Sequence, residues 1–258
     1  MPVFFASDFH LGVDARHSSR ERERQIVRWL EYCEAEGAEA IYLVGDLFDF
    51  WFEWRRAVPR GFVRFLGKLA ELTDRGIPVH VFTGNHDMWM HDYLQEEAGV
   101  RLYREPVVHT LYGKRVLIGH GDGLGPGDRG YKRLKKVINA RWAKWMYARL
   151  HPNLAMFLAL YFSHQSRESQ GPEDVFLGPG EEWLVAYSER KLAADPELAY
   201  CIFGHRHLPI DYTLTNGRTR YLNLGEWLYT CTYARMDAHQ TTLLRWDSTA
   251  PAPAQPQP

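Results

Sequence analysis

The sequence predicts an α/β protein, and three observations carry that reading. Short apolar runs alternate with amphipathic helical runs through the first hundred residues, and each apolar run ends in a cluster of polar residues. Beyond about residue 100 the runs shorten and come closer together, and a long helical stretch at 129–167 interrupts them. Alternating strands and helices of this length predict βαβ units with right-handed crossovers and a mostly parallel central sheet. Ligands of such sheets bind beyond the carboxyl ends of the strands.

Val3 to Ala6 is an apolar run delivering Ser7-Asp8-Phe9-His10 at its end, as a buried strand would. From Ser19 onward Ile26, Trp29, Leu30 and Cys33 recur at helical spacing until Gly37 stops the run. Ala40 to Val44 leads into Gly45-Asp46, and the next helix is marked by Phe62, Phe65, Leu66, Leu69 and Leu72. A third strand, Pro78 to Phe82, runs into Gly84-Asn85-His86-Asp87. Further strands are expected at Val107 to Leu111 and Val116 to Ile118, across the Tyr112-Gly113-Lys114 turn. Asn216-Gly217 within Thr213 to Tyr221 predicts a type I′ hairpin, and strands are expected again between Tyr229 and Trp246.

A length of 258 residues suits one large domain or a domain with an insertion, at roughly 150 residues per domain. Residues 1–248 are assigned to one domain that carries the insertion 129–167; residues 249–258 hold only Thr, Ala, Pro and Gln and are expected to be a disordered tail. With 45% hydrophobic and 24% charged residues the chain is neither disordered nor collagenous. Its longest nearly continuous apolar run, Leu154 to Phe162, is too short to span a bilayer. The 31 basic residues nearly cancel the 32 acidic ones, so the overall field does not call for a nucleic acid partner. Cys33, Cys201 and Cys231 stand far apart and read as apolar fillers in a reducing compartment. The N-terminus lacks the pattern of a signal peptide, which makes the cytosol the expected location.

Five motifs fall at predicted strand ends: Asp8-x-His10, Gly45-Asp46, Gly84-Asn85-His86-Asp87, Gly119-His120-Gly121-Asp122 and Gly204-His205-Arg206-His207. A lone His or Asp beside Gly is ordinary turn chemistry; five such motifs converging on one sheet edge indicate a metal centre. Asp-x-His places two side chains on one face of an extended segment, and His205 with His207 repeats the arrangement. Carboxylate, amide oxygen and imidazole donors without cysteine suit Mn²⁺ (manganese), Fe²⁺ or Zn²⁺ and exclude a thiolate zinc finger. The donors outnumber what one ion needs, which implies two divalent metal ions bridged by a shared carboxylate, with hydroxide attacking phosphorus in line with its leaving group.

This ordered set resembles the calcineurin-like metallophosphoesterase superfamily over essentially residues 3–225. The resemblance implies a layered α/β sandwich with a helical insertion acting as a lid. It implies one ion held by Asp8, His10, Asp46 and His207 and a second by Asp46, Asn85, His120 and His205. His86 matches the position that donates a proton or hydrogen bond to the leaving oxygen, with Asp87 as its orienting partner. Asp14, Asp49 and Asp122 are expected to support loops and ligands, and Asn223 to form a structural turn.

Residues 129–167 contain nine basic residues and no Asp or Glu, interleaved with Trp142, Trp145, Met146, Phe157 and other apolar side chains. The segment reads as a basic amphipathic helical pair suited to an anionic membrane surface or an amphiphilic anionic ligand, or else as a solvated face packed on the domain. Basic residues among aromatics also suit nucleic acid, but the Leu154 to Phe162 run fits acyl chains better than bases. Together with Asp8-Phe9-His10-Leu11-Gly12, Gly45-Asp46-Leu47-Phe48-Asp49-Phe50-Trp51 and His120-Gly121-Asp122-Gly123-Leu124, the insertion is similar to that of the UDP-2,3-diacylglucosamine pyrophosphatases of lipid A biosynthesis. That resemblance implies cleavage of an amphiphilic UDP-sugar lipid to UMP and 2,3-diacylglucosamine 1-phosphate, at the cytoplasmic face of the inner membrane and without a protein partner. Asp128 and Tyr131 match family positions near the phosphosugar, and Ser163, Ser166 and Arg167 are further expected contacts. Where the best-known members carry Arg, this chain has His86, the general superfamily form. Other readings are a metallophosphoesterase for a different nucleotide, phosphoprotein or phospholipid, and a catalytically silent scaffold of the same fold.

Overall fold

The computed structural model describes residues 1–125, 129–169, 175–176 and 178–247, except for the side chains of 129, 131–134 and 164–169. Four parallel strands, β1 (Val3–Ala6), β2 (Ala40–Val44), β3 (Val79–Phe82) and β4 (Arg101–Tyr103), are linked by helices α1 (Ser19–Ala35), α2 (Val63–Asp74) and α3 (Tyr93–Ala98). They match the alternation read from the sequence. Strand β5 (Val107–Leu111) hairpins onto β6 (Lys114–Gly119), and helices α4 (Arg129–Ile138), α5 (Arg141–Tyr147), α6 (Pro152–Ser169) and α7 (Trp183–Ala194) precede β7 (Leu198–Phe203). The chain ends with β8 (Pro209–Thr213), β9 (Arg220–Leu224), β10 (Thr232–Met236) and β11 (Thr241–Arg245).

The strands form two sheets rather than one mostly parallel sheet. One runs β11-β10-β1-β2-β3-β4 and the other β5-β6-β7-β9-β8. Both are mixed: β10 lies antiparallel to β1, while β6, β7 and β9 are mutually parallel between antiparallel edges. The period-2 alternation explains the stacking, because successive residues of a strand face opposite sides. Phe4, Ala6, Ile41, Leu43, Val79 and Val81 pack with Ile26, Trp29, Phe65 and Leu69 of α1 and α2. Their neighbours Val3, Phe5, Tyr42, Val44 and Phe82 pack with Val116, Ile118, Ile202 and Leu222 of the second sheet. That sheet's outer face, with Cys201, Phe203 and Tyr221, receives Leu184, Val185 and Leu192 of α7. The result is a helix, sheet, sheet, helix sandwich.

Two local expectations need correction. The basic segment holds three helices, not a pair. Ala140 is extended (ψ 141°) and separates α4 from α5, and Pro152 opens α6, as proline favours the first helical position and disfavours helix in the residue before it. The β8–β9 connection is a six-residue loop, 214–219, rather than a type I′ hairpin. Of Asn216 and Gly217 only Gly217 has positive φ, and the Asn216 side chain instead accepts from Arg218 N and Thr219 N. The tail at 249–258 lies outside the described residues. The three cysteines are free and buried, as expected of fillers.

Candidate dimetal centre

The motifs meet where the carboxyl ends of β1, β2 and β3 face those of β6 and β7, so two sheets supply the site instead of one sheet edge. His10 Nε2 lies 3.0 Å from His207 Nε2, and Asp8 Oδ1 lies 3.1 Å from the same His207 nitrogen. His120 Nε2 lies 3.1 Å from Asp46 Oδ2 and 3.3 Å from Asn85 Oδ1, and the His205 ring packs on His120 at 5.1 Å. Asp8, His10 and His207 form one group of donors whose atoms lie within 4.8 Å of one another, and Asp46, His120 and His205 form a second. The structure thus brings together all seven expected ligands. A third group, His10, Asp49 and His86, adjoins the first.

The backbone is bent to make this convergence. Among the described residues eight non-glycine residues take positive φ, and five are expected ligands: Asp8 (55°), His10 (44°), Asp46 (51°), His205 (70°) and His207 (54°). Such conformations cost of order 1 kcal/mol or more each and gather at functional sites. Close approach is equally demanding, because a Cβ on Gly84 would strike the Asp46 carboxylate and one on Gly204 would strike Asp8.

The donor set fits divalent cations. Burial pushes Asp8 up, yet the adjoining imidazoles of His10, His207 and His120 hold it below the ordinary carboxylate range, and His120, His86 and His10 do the same for Asp46. Burial opposes charge on His10, but Asp49 and Asp8 raise it to about 9. His205, buried beside His120, falls to about 4. The site is therefore a buried store of negative charge that draws positive charge to itself. Asp8 Oδ1 is buried without an aligned hydrogen bond, as an orphaned donor of a cation site would be.

His86 joins the site through its backbone and its ring. Its N–H donates to Asp46 Oδ1 (2.8 Å), while ring Nδ1 lies 3.0 Å from the Asp49 carbonyl. A carbonyl only accepts, so Nδ1 carries the proton and Nε2 is the nitrogen left for substrate. Asp87 is not its orienting partner. Both Asp87 oxygens accept backbone N–H groups, from Gly84 (2.7 Å), Leu47 (2.7 Å) and Phe48 (3.4 Å), and so tie the Asp46 loop to the Asn85 loop. Burial and nearby Asp46 raise this carboxyl to about 7. Asp49 fills the orienting position instead, with Oδ1 3.6 Å from His10 Nδ1 and 3.7 Å from His86 Nδ1.

The other expectations divide. Ser163 reaches the site, donating to Asp49 Oδ2 (3.2 Å). Asp128 lies outside the described residues, as do the side chains of Tyr131, Ser166 and Arg167, whose backbone is helical. Asp14 accepts from Ser19 N (2.7 Å), Asp122 from Lys135 Nζ (2.5 Å), and Asn223 donates to the Gly204 carbonyl (2.5 Å), all supporting roles. Arg22 was missed. Fully buried, it donates to the carbonyls of Phe9 (2.8 Å), His10 (2.6 Å), Val13 (2.5 Å) and His17 (3.4 Å), holding the loop that carries His10. The available signal was its spacing, since Arg22, Ile26, Trp29 and Cys33 share the apolar stripe of α1.

Residues 1–209 match the family described as Calcineurin-like phosphoesterase, and the chain belongs to that family. It is a phosphoesterase-class hydrolase whose family implies divalent metal ions. Among curated relatives, UDP-2,3-diacylglucosamine hydrolase of Porphyromonas gingivalis is 39% identical, with 94% of this chain and 95% of the relative covered. The protein of the same name from Aeromonas salmonicida is 31% identical over 88% of this chain and 86% of the relative. Among solved structures, YfcE, a phosphoesterase from E. coli, overlays with a TM-score of 0.44 at 17% identity, covering 92% and 88% of the two chains.

Proposed function

We propose that this protein hydrolyses the pyrophosphate of UDP-2,3-diacylglucosamine, releasing UMP and 2,3-diacylglucosamine 1-phosphate for lipid A biosynthesis. The near-complete alignment with the P. gingivalis relative of that name is the observation that carries the reading. Asp8, His10, Asp46 and His207 would hold one ion, and Asp46, Asn85, His120 and His205 the other, with Asp46 shared. Two divalent ions held there, Mn²⁺ first and Fe²⁺ or Zn²⁺ equally compatible with the donors, supply the Lewis acidity that activates water and polarises a phosphoryl oxygen. His86, with its Nδ1–H committed to the Asp49 carbonyl, would serve the leaving oxygen from Nε2 as the imidazolium, giving up that second proton as the P–O bond breaks. Asp87 and Asp49 fix the loops and rings around it.

Helices α4 to α6 would be the lid. Trp142, Trp145, Met146, Leu154, Phe157, Tyr161 and Phe162 are all at least half exposed, and Arg141, Lys144 and Arg149 lie among them. An apolar face with cationic neighbours suits acyl chains, phosphates and the anionic cytoplasmic leaflet, to which the protein would bind peripherally. No helix among the described residues is long and apolar enough to cross a membrane.

The test is UMP release from UDP-2,3-diacylglucosamine by metal-loaded protein, beside UDP-N-acetylglucosamine and an aryl phosphodiester. Strong selectivity for the diacyl substrate is expected. Turnover of the aryl diester alone would overturn the substrate assignment.

A further inference from the structure

Away from the metal groups, a cavity of about 370 Å³ opens between the start of α1 and the end of β11. None of its lining residues belongs to the donor groups of the site. Arg16 and His17 come from the loop before α1, Arg245 from the end of β11, and Tyr229 and Trp246 add aromatic walls over a floor at Cys231. Neither Arg16 nor Arg245 has an ion-pair partner among the described residues, and the lining sets two guanidiniums against one carboxylate, that of Asp247. The Trp246 indole Nε1 is buried without a hydrogen-bond partner.

Each feature narrows the ligand. Guanidinium groups recognise phosphate through paired N–H donors, and two of them around one opening favour an anion over any neutral molecule. Exposed Tyr229 offers a flat face on which a planar ring stacks, and half-buried Trp246, packed against Tyr32 at 5.3 Å, closes one side of the cavity. The volume lies within the range of small-molecule sites and suits a ligand of mononucleotide size. We propose that this cavity is a second ligand site, separate from the metal centre, that binds a phosphate monoester carrying a planar ring, a mononucleotide in its simplest form.

The site has a mechanical connection to the catalytic loop. Arg22 holds the His17 carbonyl beside the cavity and the His10 carbonyl beside the metal donors.

The experiment uses the full chain stripped of metal with EDTA, so that binding at the metal centre does not contribute. UMP and AMP are titrated by calorimetry and by tryptophan fluorescence, beside uridine and inorganic phosphate. Both nucleotides are expected to bind and quench the fluorescence, and the Arg16→Ala/Arg245→Ala variant is expected to bind at least about tenfold more weakly. Arg60→Ala/Arg64→Ala, a pair of exposed changes elsewhere, controls for net charge and should bind as the parent does. Unchanged affinity in the double variant would overturn the proposal, as would absence of nucleotide binding, or uridine or inorganic phosphate binding as tightly as UMP.

Discussion

Ser163 on α6 places its hydroxyl 3.1 Å from His86 Nδ1, so the proposed lid touches the residue proposed to serve the leaving group. The same hydroxyl donates to Asp49 Oδ2, whose partner oxygen lies between the rings of His10 and His86. A helix whose outer face is apolar and exposed thus ends its reach on the polar framework of the metal site. Partners that orient ligands in this way are typically worth about 10- to 100-fold in activity or metal affinity. Ser163→Ala is expected to lower kcat about tenfold with little change in KM, and Ser163→Thr to restore most of it. A variant that raised KM alone would show that Ser163 contacts substrate and does not position His86.

Asp46 is the hub of the second donor group, facing His120 with one oxygen and accepting the His86 N–H with the other. Asp46→Ala is expected to abolish turnover and lower the bound metal below two ions per chain, while circular dichroism shows the fold kept. Appreciable turnover by that variant would contradict a shared carboxylate.

What the sequence made legible was local. Each glycine-and-ligand motif sits within a few residues of its strand, and Gly84 and Gly204 are needed there because a side chain would strike Asp46 or Asp8. What it hid depends on contacts between distant segments. Asp87 follows His86 in sequence but serves the backbone of Leu47, some 40 residues away. The second sheet joins β6 to β7 across about 80 residues, including the entire basic segment, and no local pattern specifies that pairing. Arg22 looked like one more charge on α1, although its place on the apolar stripe marked it as buried.

Arg22 also yields a test. Removing it leaves the Phe9, His10, Val13 and His17 carbonyls without that donor, and orphaned buried groups cost about 1–3 kcal/mol apiece before water and relaxation compensate. Arg22→Met keeps much of the side-chain volume and is expected to cost about 3 kcal/mol in urea unfolding and to weaken metal binding through His10. A change within 0.5 kcal/mol would mean that water replaces the clamp.

The lid reading predicts an effect confined to lipid. Trp145 and Phe157 are 59% and 65% exposed, so truncating them leaves the core intact. Trp145→Ala and Phe157→Ala should therefore slow hydrolysis of the diacyl substrate while leaving an aryl phosphodiester unaffected. Binding to anionic vesicles should weaken as salt rises from 0.05 to 0.5 M, on the order of the range over which screening shortens to a few ångströms. Binding that ignored salt would point to apolar insertion as the main force.

His80 gives a pH dependence separate from the metal centre. Its ring is 5% exposed between the sheets, stacks on Tyr42 at 4.3 Å, and has Nδ1 3.0 Å from the Tyr103 hydroxyl. Burial first, then the charges of His109 and Arg101, lower its pKa from 6.5 to about 4. The folded protein therefore refuses a proton that the unfolded chain accepts as pH falls below 6.5. The stability this confers is complete above that pH and is lost progressively down to about 4, up to about 3 kcal/mol in all. His80→Phe retains a flat ring without the titration. Urea midpoints of the two proteins, compared from pH 7 to pH 4.5, should shift in favour of the variant as the solution becomes more acidic; parallel slopes would place the acid sensitivity elsewhere.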